Sequence, residues 1–575
     1  MRIIFDGWGG AERRVFEQPR GFITATTIAE VPAALAAIER ERADGRHVAG
    51  WLSYELGYAL EARLRPLMPA QAGRDYPLIR LGVFDAPHSE APPACGRAYA
   101  GPLQPEWSGA DYASRFARLH RYITEGDLYQ ANLSFRARFA FAGDPFALYE
   151  RLLKSAGAQY CAYVDDGQRQ LLSLSPELFF ALSADGEITV RPMKGTAARR
   201  NEGGDAVERA ALAASEKNRA ENLMIVDLIR NDLGRIAATG SVEVADLFRV
   251  ESYPTFHTMV STVRARKLGA KTPADIIAAL FPCGSVTGAP KIRAMEVLRE
   301  LESSPRGAYC GALGWFAPDG SAGFNVAIRT LTLRDGRGEI GIGGGVVHDS
   351  RAESEYAECL LKARFFDVAR RDIELIETLR HDDTGFQRIE RHLARMAASA
   401  PHFGLRFDEQ AARQALARAV EASAGQGPQR VRLTLDEAGR HQATAVPLGV
   451  NPAHWTWSIS PERVHSTDVL YRHKTTWREM YEREVARLGT DEVVFLNERG
   501  EVAEGARSNI FVRRGSKLLT PPLGAGLLNG CLRAEMVERG EAEEARLMPA
   551  DLESEVWFGN SLRGLVRAAP AVKIK

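Results

Sequence analysis

Apolar and polar positions alternate along this chain with two periods. "HVAGWLSYELGYALEARL" reads as a strand running into a helix. "DYASRFARLHRYITEGDLYQANLSFRARFAF" reads as an amphipathic helix, a Gly-Asp break and an alternating strand. Helical spacing returns in "ALYERLLKSA", "AVERAALAASEKNRAENLMIVDLIRNDLGRIAA" and "APKIRAMEVLRELES". "EITVRPM", "GALGWFA", "FNVAIRTLTLRD" and "GEIGIGGGVV" read as strands, the first ended by Gly195 and Thr196. Residues 85–109, rich in Pro, Gly and Ala, read as a loop or linker. A second pattern starts near 373 with "IELIETLR". It runs through "VRLTLDEAGRHQATAVPL" and "DEVVFLNERGEVAEGARSNIFVRRGSKLLT" to a last strand-like "SEVWFGN". No flexible linker separates the halves, and no internal repeat is present.

Composition narrows the class. At 575 residues the chain exceeds a single core, so two or three domains are expected. A formal charge of zero gives no electrostatic case for nucleic acid or an anionic membrane. The six cysteines are scattered with no CxxC pair, which indicates neither a zinc site nor a disulfide framework. "MRIIFDGWGG" has no long apolar region, and no 18-residue apolar run follows, so a reducing cytoplasmic location is expected.

Only eleven of the 74 basic residues are lysine. Arg stays protonated, whereas a buried Lys amine can become a nucleophile, so each retained lysine invites a chemical reading beside the plainer one of a solvated charge. Lys194 lies in "RPMKGT". Beyond 373 there are four lysines: Lys573 and Lys575 in the tail, Lys517 in a hairpin turn, and Lys474 in "LYRHKTTWREMY". Lys474 is therefore the candidate for carbonyl chemistry in the second half.

Glu355 and Glu358 are three apart on one helix face, and Glu221 lies on a helix whose Met224, Ile225, Leu228 and Ile229 face a core. Carboxylates from separate helices suit an oxygen-ligated ion such as Mg²⁺; solvated helix faces paired with Arg219 or Arg351 are the plainer reading. "FPCGSVTGAPKIRAMEVL" reads as strand, glycine turn and helix, whose N-terminal N–H groups can bind an anion. With Gly343 to Gly345 and an in-strand Arg329, this fits a small molecule bearing more than one carboxylate.

The ordered set "GDLYQANLS", "LSPELFF", "RPMKGT", "RAENLMIVDLIRNDLGRI", "TFHTMVSTV", "FPCGSVTGAPK", "RGAYCGALGWF", "AIRTL" and "GIGGGVVHDSRAESEYAECLLKA" resembles the chorismate-utilising enzymes, most densely from about 110 to 366. The resemblance implies that Glu221 and Glu358 ligate Mg²⁺ with Glu355 supporting. It also implies that Gly195, Thr196, His257, Thr287, Tyr309, Arg329 and Gly343, Gly344 and Gly345 hold chorismate. Asn218 departs from an acidic residue found in many relatives. Lys in the "PxKGT" turn resembles the aminodeoxychorismate synthases, where anthranilate synthases have Ala. This implies a Lys194 nucleophile and a Glu177 acid. Gln130 stands where water-adding relatives carry a lysine base.

Residues 373–575 resemble the fold-type IV pyridoxal-phosphate enzymes through "RIERHLARMAASAPHFG", "LLTPPLGAGLLNGCLR" and "FGNSLRGL". By that resemblance Lys474 carries the cofactor and Glu504 faces its ring nitrogen. Arg395, the backbone of Gly530, Cys531 and Leu532, and the Asn560–Ser561 turn hold its phosphate. Leu532 replaces a threonine common in aminotransferases.

The expected fold is α+β: a chorismate-utilising domain, a two-layer sandwich of large sheets, over 1–370 (1–105 its N-terminal region), then a D-amino acid aminotransferase-like domain over 373–575. The implied function is amination of chorismate at carbon 4, then release of pyruvate to leave 4-aminobenzoate. No glutaminase nucleophile is present, so nitrogen is expected from a separate glutamine amidotransferase subunit or from free ammonia. A homodimer through the C-terminal domain is a further expectation. Rival readings are an inactive or truly transaminating second domain, or an anthranilate- or salicylate-synthase type of first domain.

Overall fold

The computed structural model describes residues 1–571 except 11, 75, 200–203, 254–255 and 424–426; Lys573 and Lys575 lie outside the described residues. The chain forms two compact units. The first holds residues 1–93, 103–139 and 149–369; the second holds 94–102, 140–148 and 370–575.

Two large sheets build the first unit, with main paths of eight and nine strands. One runs in the order Gly288–Ala289, Gln130–Gly143, Arg337–Val346, Thr330–Arg334, Gln170–Ser175, Tyr160–Asp165, Arg2–Asp6, Arg14–Phe16. The other runs Met193–Ala198, Phe256–Arg266, Glu187–Arg191, Leu178–Leu182, Ala322–Val326, Ala312–Phe316, His47–Leu52, Ile79–Phe84, Gly21–Ala25. Side chains of a strand alternate between faces, so each sheet carries two apolar faces. The inner faces meet in one core containing Ile3, Phe5, Trp8, Trp51, Val164, Leu171, Leu313 and Trp315. Helices Val31–Ala43, Glu216–Gly234 and Pro273–Leu280 cover the outer face of the second sheet. Gly109–Thr124, Lys291–Leu301 and Ala352–Ala363 cover that of the first.

The second unit pairs a four-stranded sheet, ordered Gly385–Phe386, Leu375–Asp382, Gln429–Leu435, His441–Pro447, with an eight-stranded one. The larger sheet runs Val502–Gly505, Glu492–Asn497, Trp455–Val464, Gly564–Pro570, Val556–Asn560, Asn509–Arg514, Lys517–Thr520, Ala542–Glu544. Helices Ile389–Ser399 and Glu409–Ala422 pack on the smaller sheet through Leu393, Met396, Ala412 and Leu416.

The structure corrects several sequence expectations. Gly195 and Thr196 do not end the strand before them. The break is at Pro192, which lacks the N–H a ladder needs, and a new strand, Met193–Ala198, pairs with Phe256–Arg266. "FNVAIRTLTLRD" is two strands in different sheets, Ala322–Val326 and Thr330–Arg334, and Arg329 sits at the turn between them with φ 49° rather than in a strand. "FPC" is not a strand; a helix ends at Leu280 and a 3-10 turn follows at Gly284–Val286. Residues 85–109 are more than a linker: Ala98–Ala100 and Gln104–Pro105 are strands, and Tyr99 is fully buried. A strand at Gly564–Pro570 follows the one read as last.

Candidate active sites

Lys194 leaves its ladder through a bulge. Met193 faces Val260 and Thr196 faces Thr258, so the strand spends one residue more than its partner between the two pairs. Gly195 takes the left-handed φ of 86° that this requires, and a Cβ there would press on Asn218. The Lys194 ammonium is thereby turned toward Glu221, with Nζ 3.7 Å from Oε2, and its side chain stays only 14% exposed. Burial holds the amine below the ordinary lysine range, opposed chiefly by Glu221.

Gly345 explains the close approach. A Cβ on it would lie 2.5 Å from Lys194 Nζ and 2.9 Å from Gln130 Nε2, so only glycine leaves room for both. Gly343 likewise lets the backbone of Leu133 and Ser134 come near, and a Cβ on Gly344 would meet Glu355. Gly341, on the same strand face, lies against the Tyr309 ring. Tyr309 is thus about 13 Å along the strand from the amine, at ~3.3 Å per residue.

Glu177 is buried in the turn before Leu178–Leu182, and its Oε1 accepts from Ser285 Oγ at 2.6 Å. Burial pushes its carboxyl up to about 7, against the Ser285 hydrogen bond and the Lys194 charge. An acid with that affinity can donate a proton near neutral pH.

Each of the three metal candidates has a partner of its own, and Lys194 acts on both Glu221 and Glu358. Glu221 faces Lys194 and, at 4.0 Å, Lys217; Glu358 faces Lys362 at 2.9 Å; Glu355 accepts from Ser350 Oγ at 2.6 Å. Burial opposes ionisation of Glu358, but Lys362, Lys194 and Lys217 together hold that carboxyl below its ordinary value. All-carboxylate donors suit a hard cation, and here lysine ammonium groups meet their charge. Neither Arg219 nor Arg351 is their partner.

The remaining first-site residues are dispersed around this centre. His257 is buried opposite Ala197; its Nδ1 is 2.9 Å from Ser252 Oγ and its Nε2 3.4 Å from Asp205. Thr287 is buried and donates to Cys283 O at 2.8 Å, while Thr196 is exposed. Arg329 stacks 4.3 Å above Phe256, its guanidinium has no hydrogen bond or ion pair among the described residues, and burial brings it down to about 10. Such a cation suits an anionic ligand.

In the second unit one cavity gathers Lys474, Glu504, Arg395, Gly530, Cys531, Asn560 and Ser561. Burial, then Arg478 and Arg395, lower the Lys474 amine to about 8. Glu504 accepts from Tyr481 Oη and from Leu528 N at 3.0 Å; burial raises its carboxyl. Arg395 is fixed by Glu377 through Nε at 2.9 Å and Nη2 at 2.6 Å, and it donates to Asn529 O at 2.9 Å. Against its own burial, Arg395 and His392 hold Glu377 down at about 2. Gly530 caps the helix Cys531–Glu538, and Asn509 leaves no room there for a Cβ. The backbone N–H groups of that helix start, with Arg395, form a cradle fit for a phosphate. Leu532 turns its side chain into a core with Phe511, Leu518 and Met536.

Glu377, His392 and Cys531 are the one trio of His, Cys, Asp or Glu ligand atoms within 4.8 Å among the described residues. Glu377 spends both oxygens on Arg395 and His392, so the trio reads as a hydrogen-bonded strut under the cradle. Ser285, Lys362, Glu377, His392 and Tyr481 were not singled out from sequence. His392 and Glu377 were signalled by the "RHLAR" and "IELIETLR" stretches that supplied Arg395 and the strand.

A family model described as chorismate binding enzyme matches residues 84–367, and one described as amino-transferase class IV matches 374–570. The chain joins a chorismate-binding enzyme domain to a class IV aminotransferase domain. It is 40% identical over 305 residues to aminodeoxychorismate synthase component 1 of Klebsiella aerogenes, covering 53% of this chain and 66% of that one. To the protein of the same description from Escherichia coli it is 42% identical over 267 residues, 46% of this chain and 57% of that one. The match thus spans between about half and two thirds of the length of these relatives. Anthranilate synthase component I from Streptococcus pneumoniae superposes with TM-score 0.54 at 24% identity, covering 64% of this chain and 92% of the other; the likeness is one of fold. Among the described residues no helix is long and apolar enough to cross a membrane.

Proposed function

We propose that the first unit aminates chorismate at carbon 4 and the second releases pyruvate from the product, leaving 4-aminobenzoate. The observation that carries this reading is the Lys194 amine, buried and held below the ordinary lysine range, in a centre with a Glu177 carboxyl raised to about 7. The Lys194 amine attacks ring carbon 2, the double bonds shift, and the carbon-4 hydroxyl leaves as water with the proton of Glu177. Ammonia then bonds to carbon 4, the double bonds shift back, and the lysine is expelled from carbon 2. Arg329 and the backbone at Gly343 to Gly345 receive carboxylates, with Gly195, Thr196, His257, Thr287 and Tyr309 shaping the pocket. Mg²⁺, held by Glu221 and Glu358 with Glu355 behind them, would supply charge opposite the ring carboxylate.

In the second unit Arg395, the N–H groups of Gly530, Cys531 and Leu532, and Ser561 would hold the phosphate of pyridoxal phosphate, and Glu504 its ring nitrogen. The cofactor, when bound, supplies a carbonyl for the substrate amine and a sink for its electrons. Lys474, its amine near 8, takes the proton from carbon 4. Enolpyruvate departs from carbon 3, gains a proton as pyruvate, and the ring becomes aromatic.

We place the domain boundary near 370, the protein in the cytoplasm, and a separate glutamine amidotransferase subunit as the source of ammonia. A homodimer through the second unit is part of the proposal. The test supplies chorismate, ammonia and Mg²⁺, with pyridoxal phosphate present or withheld, and identifies products by mass. Aminodeoxychorismate without the cofactor and 4-aminobenzoate with it are expected. Lys194→Ala should abolish both, by at least about 10³-fold, as loss of a covalent nucleophile does. A 2-amino product from the parent protein would overturn the first half of the reading. A transamination product would overturn the second.

A further inference from the structure

The second unit contains a short strap from far upstream, residues 94–102. Its strand Ala98–Ala100 pairs with 141–143, and Tyr99 is fully buried with Leu375, Leu393 and Met396, its Oη 3.2 Å from Phe403 O. One residue of the strap, Arg97, lines the cavity that holds Lys474. Its guanidinium lies 4.1 Å from the ring centre of Tyr471 and 5.0 Å from that of Trp477. These two rings stand three residues before and three residues after Lys474. Arg97 Nε also donates at 2.9 Å to Asp468, whose side chain is 1% exposed and caps the turn Val469–Arg472. The strap approaches so closely that a Cβ on Gly96 would lie 3.2 Å from Asp468 Cβ.

We infer that Arg97 is a positioning residue of the second site, clamping the loop that carries Lys474 from both sides. A planar cation can satisfy a buried carboxylate with one edge while its faces meet aromatic rings, which an ammonium cannot do. Arg371, 4.1 Å from the other contact of the clamp, Trp477, and paired with Glu479, keeps that indole in place. The main chain of the lysine loop is also tied at 374–376, by Ile376 N to Lys474 O at 2.9 Å and Thr476 N to Glu374 O at 2.9 Å, with Thr476 Oγ1 accepting from Glu374 N at 3.0 Å, and His473 Nδ1 lies 3.0 Å from Ser399 Oγ. Those bonds fix the main chain; the clamp fixes where the side chains on either side of Lys474 stand.

This inference rests on the reading of Lys474 as the cofactor lysine. The test uses the full chain with Arg97→Ala and Arg97→Lys. In the cofactor-free proteins, hydrogen exchange of the peptide spanning 469–478 should rise at least tenfold in Arg97→Ala. With cofactor, pyruvate release should lose at least tenfold in kcat with KM within threefold, and added guanidinium should restore part of it. Amination of chorismate should not change. Arg97→Lys should lie nearer to Arg97→Ala than to the parent, and it serves alone if the alanine variant does not fold. Exchange and kcat within twofold of the parent in both variants would overturn the clamp. If the parent itself binds no cofactor and releases no pyruvate, the reading of the second site fails, and the exchange experiment still decides for or against the clamp.

Discussion

Glu177 and Lys474 owe their shifted proton affinities to burial, and the proposed role of each can be tested alone. Ser285 donates to Glu177 and stabilises its charged form, so Ser285→Ala should raise the carboxyl above its present value of about 7. If Glu177 is the acid, amination is retained below that value and lost as pH rises through it. The falling limb of the pH profile, measured at constant free ammonia, should move to higher pH in the variant by about 1–2 units, the worth of one hydrogen bond to a charged group. An unmoved limb would remove Glu177 from that role. Lys474→Ala should leave chorismate amination intact, abolish the near-visible band of cofactor-loaded protein and let aminodeoxychorismate accumulate. Peptide mapping after borohydride reduction checks the attachment, and a label on Lys517 would displace the assignment.

At the scale of elements, the strand Arg337–Val346 does its work through missing side chains. Gly345→Ala sets a methyl 2.5 Å from the Lys194 amine, inside any real contact distance, and one of the two must move. We expect at least a hundredfold loss of amination, because an ångström of displacement in a nucleophile costs about that much. The unfolding midpoint should fall by only a few degrees, since the site is an edge of the core. Comparable losses in both measurements would mean that Gly345 serves packing alone. The bulge at Lys194 is the companion device. It was invisible in the pattern because "RPMKGT" has the composition of a turn, and pairing with a strand sixty residues away made it a ladder.

For the whole molecule, the two candidate sites lie in two units, each with its own core. Purified chain supplied with glutamine and an ammonia scavenger should make no aminodeoxychorismate, and should do so once a glutamine amidotransferase subunit is added. Product analysis by mass checks this, and turnover without the subunit would contradict it. The units do not follow the chain in order. Residues 94–102 and 140–148 belong to the second, so a fragment beginning at 370 lacks Arg97 and Tyr99.

The α+β class, the main helices and the two halves were legible in the residues, because amphipathic period and turn chemistry are local properties. The sequence also singled out Lys194, Lys474, Glu177, Glu504 and Arg395 through residue scarcity and motif. It read Arg329 as part of a strand and 85–109 as a linker. Neither reading survived, because a switch between sheets and a strand added at an edge depend on partners distant in the chain. Which acids stand beside which amines came from folding. It paired Glu221 with Lys194 and Glu358 with Lys362, and it fixed Arg395 by Glu377. Only it brought Arg97 to the loop of Lys474. The physical reason is common to these cases: proton affinity and ion pairing are set by burial and by neighbours a few ångströms away, and such neighbours are made by folding rather than by adjacency in the chain.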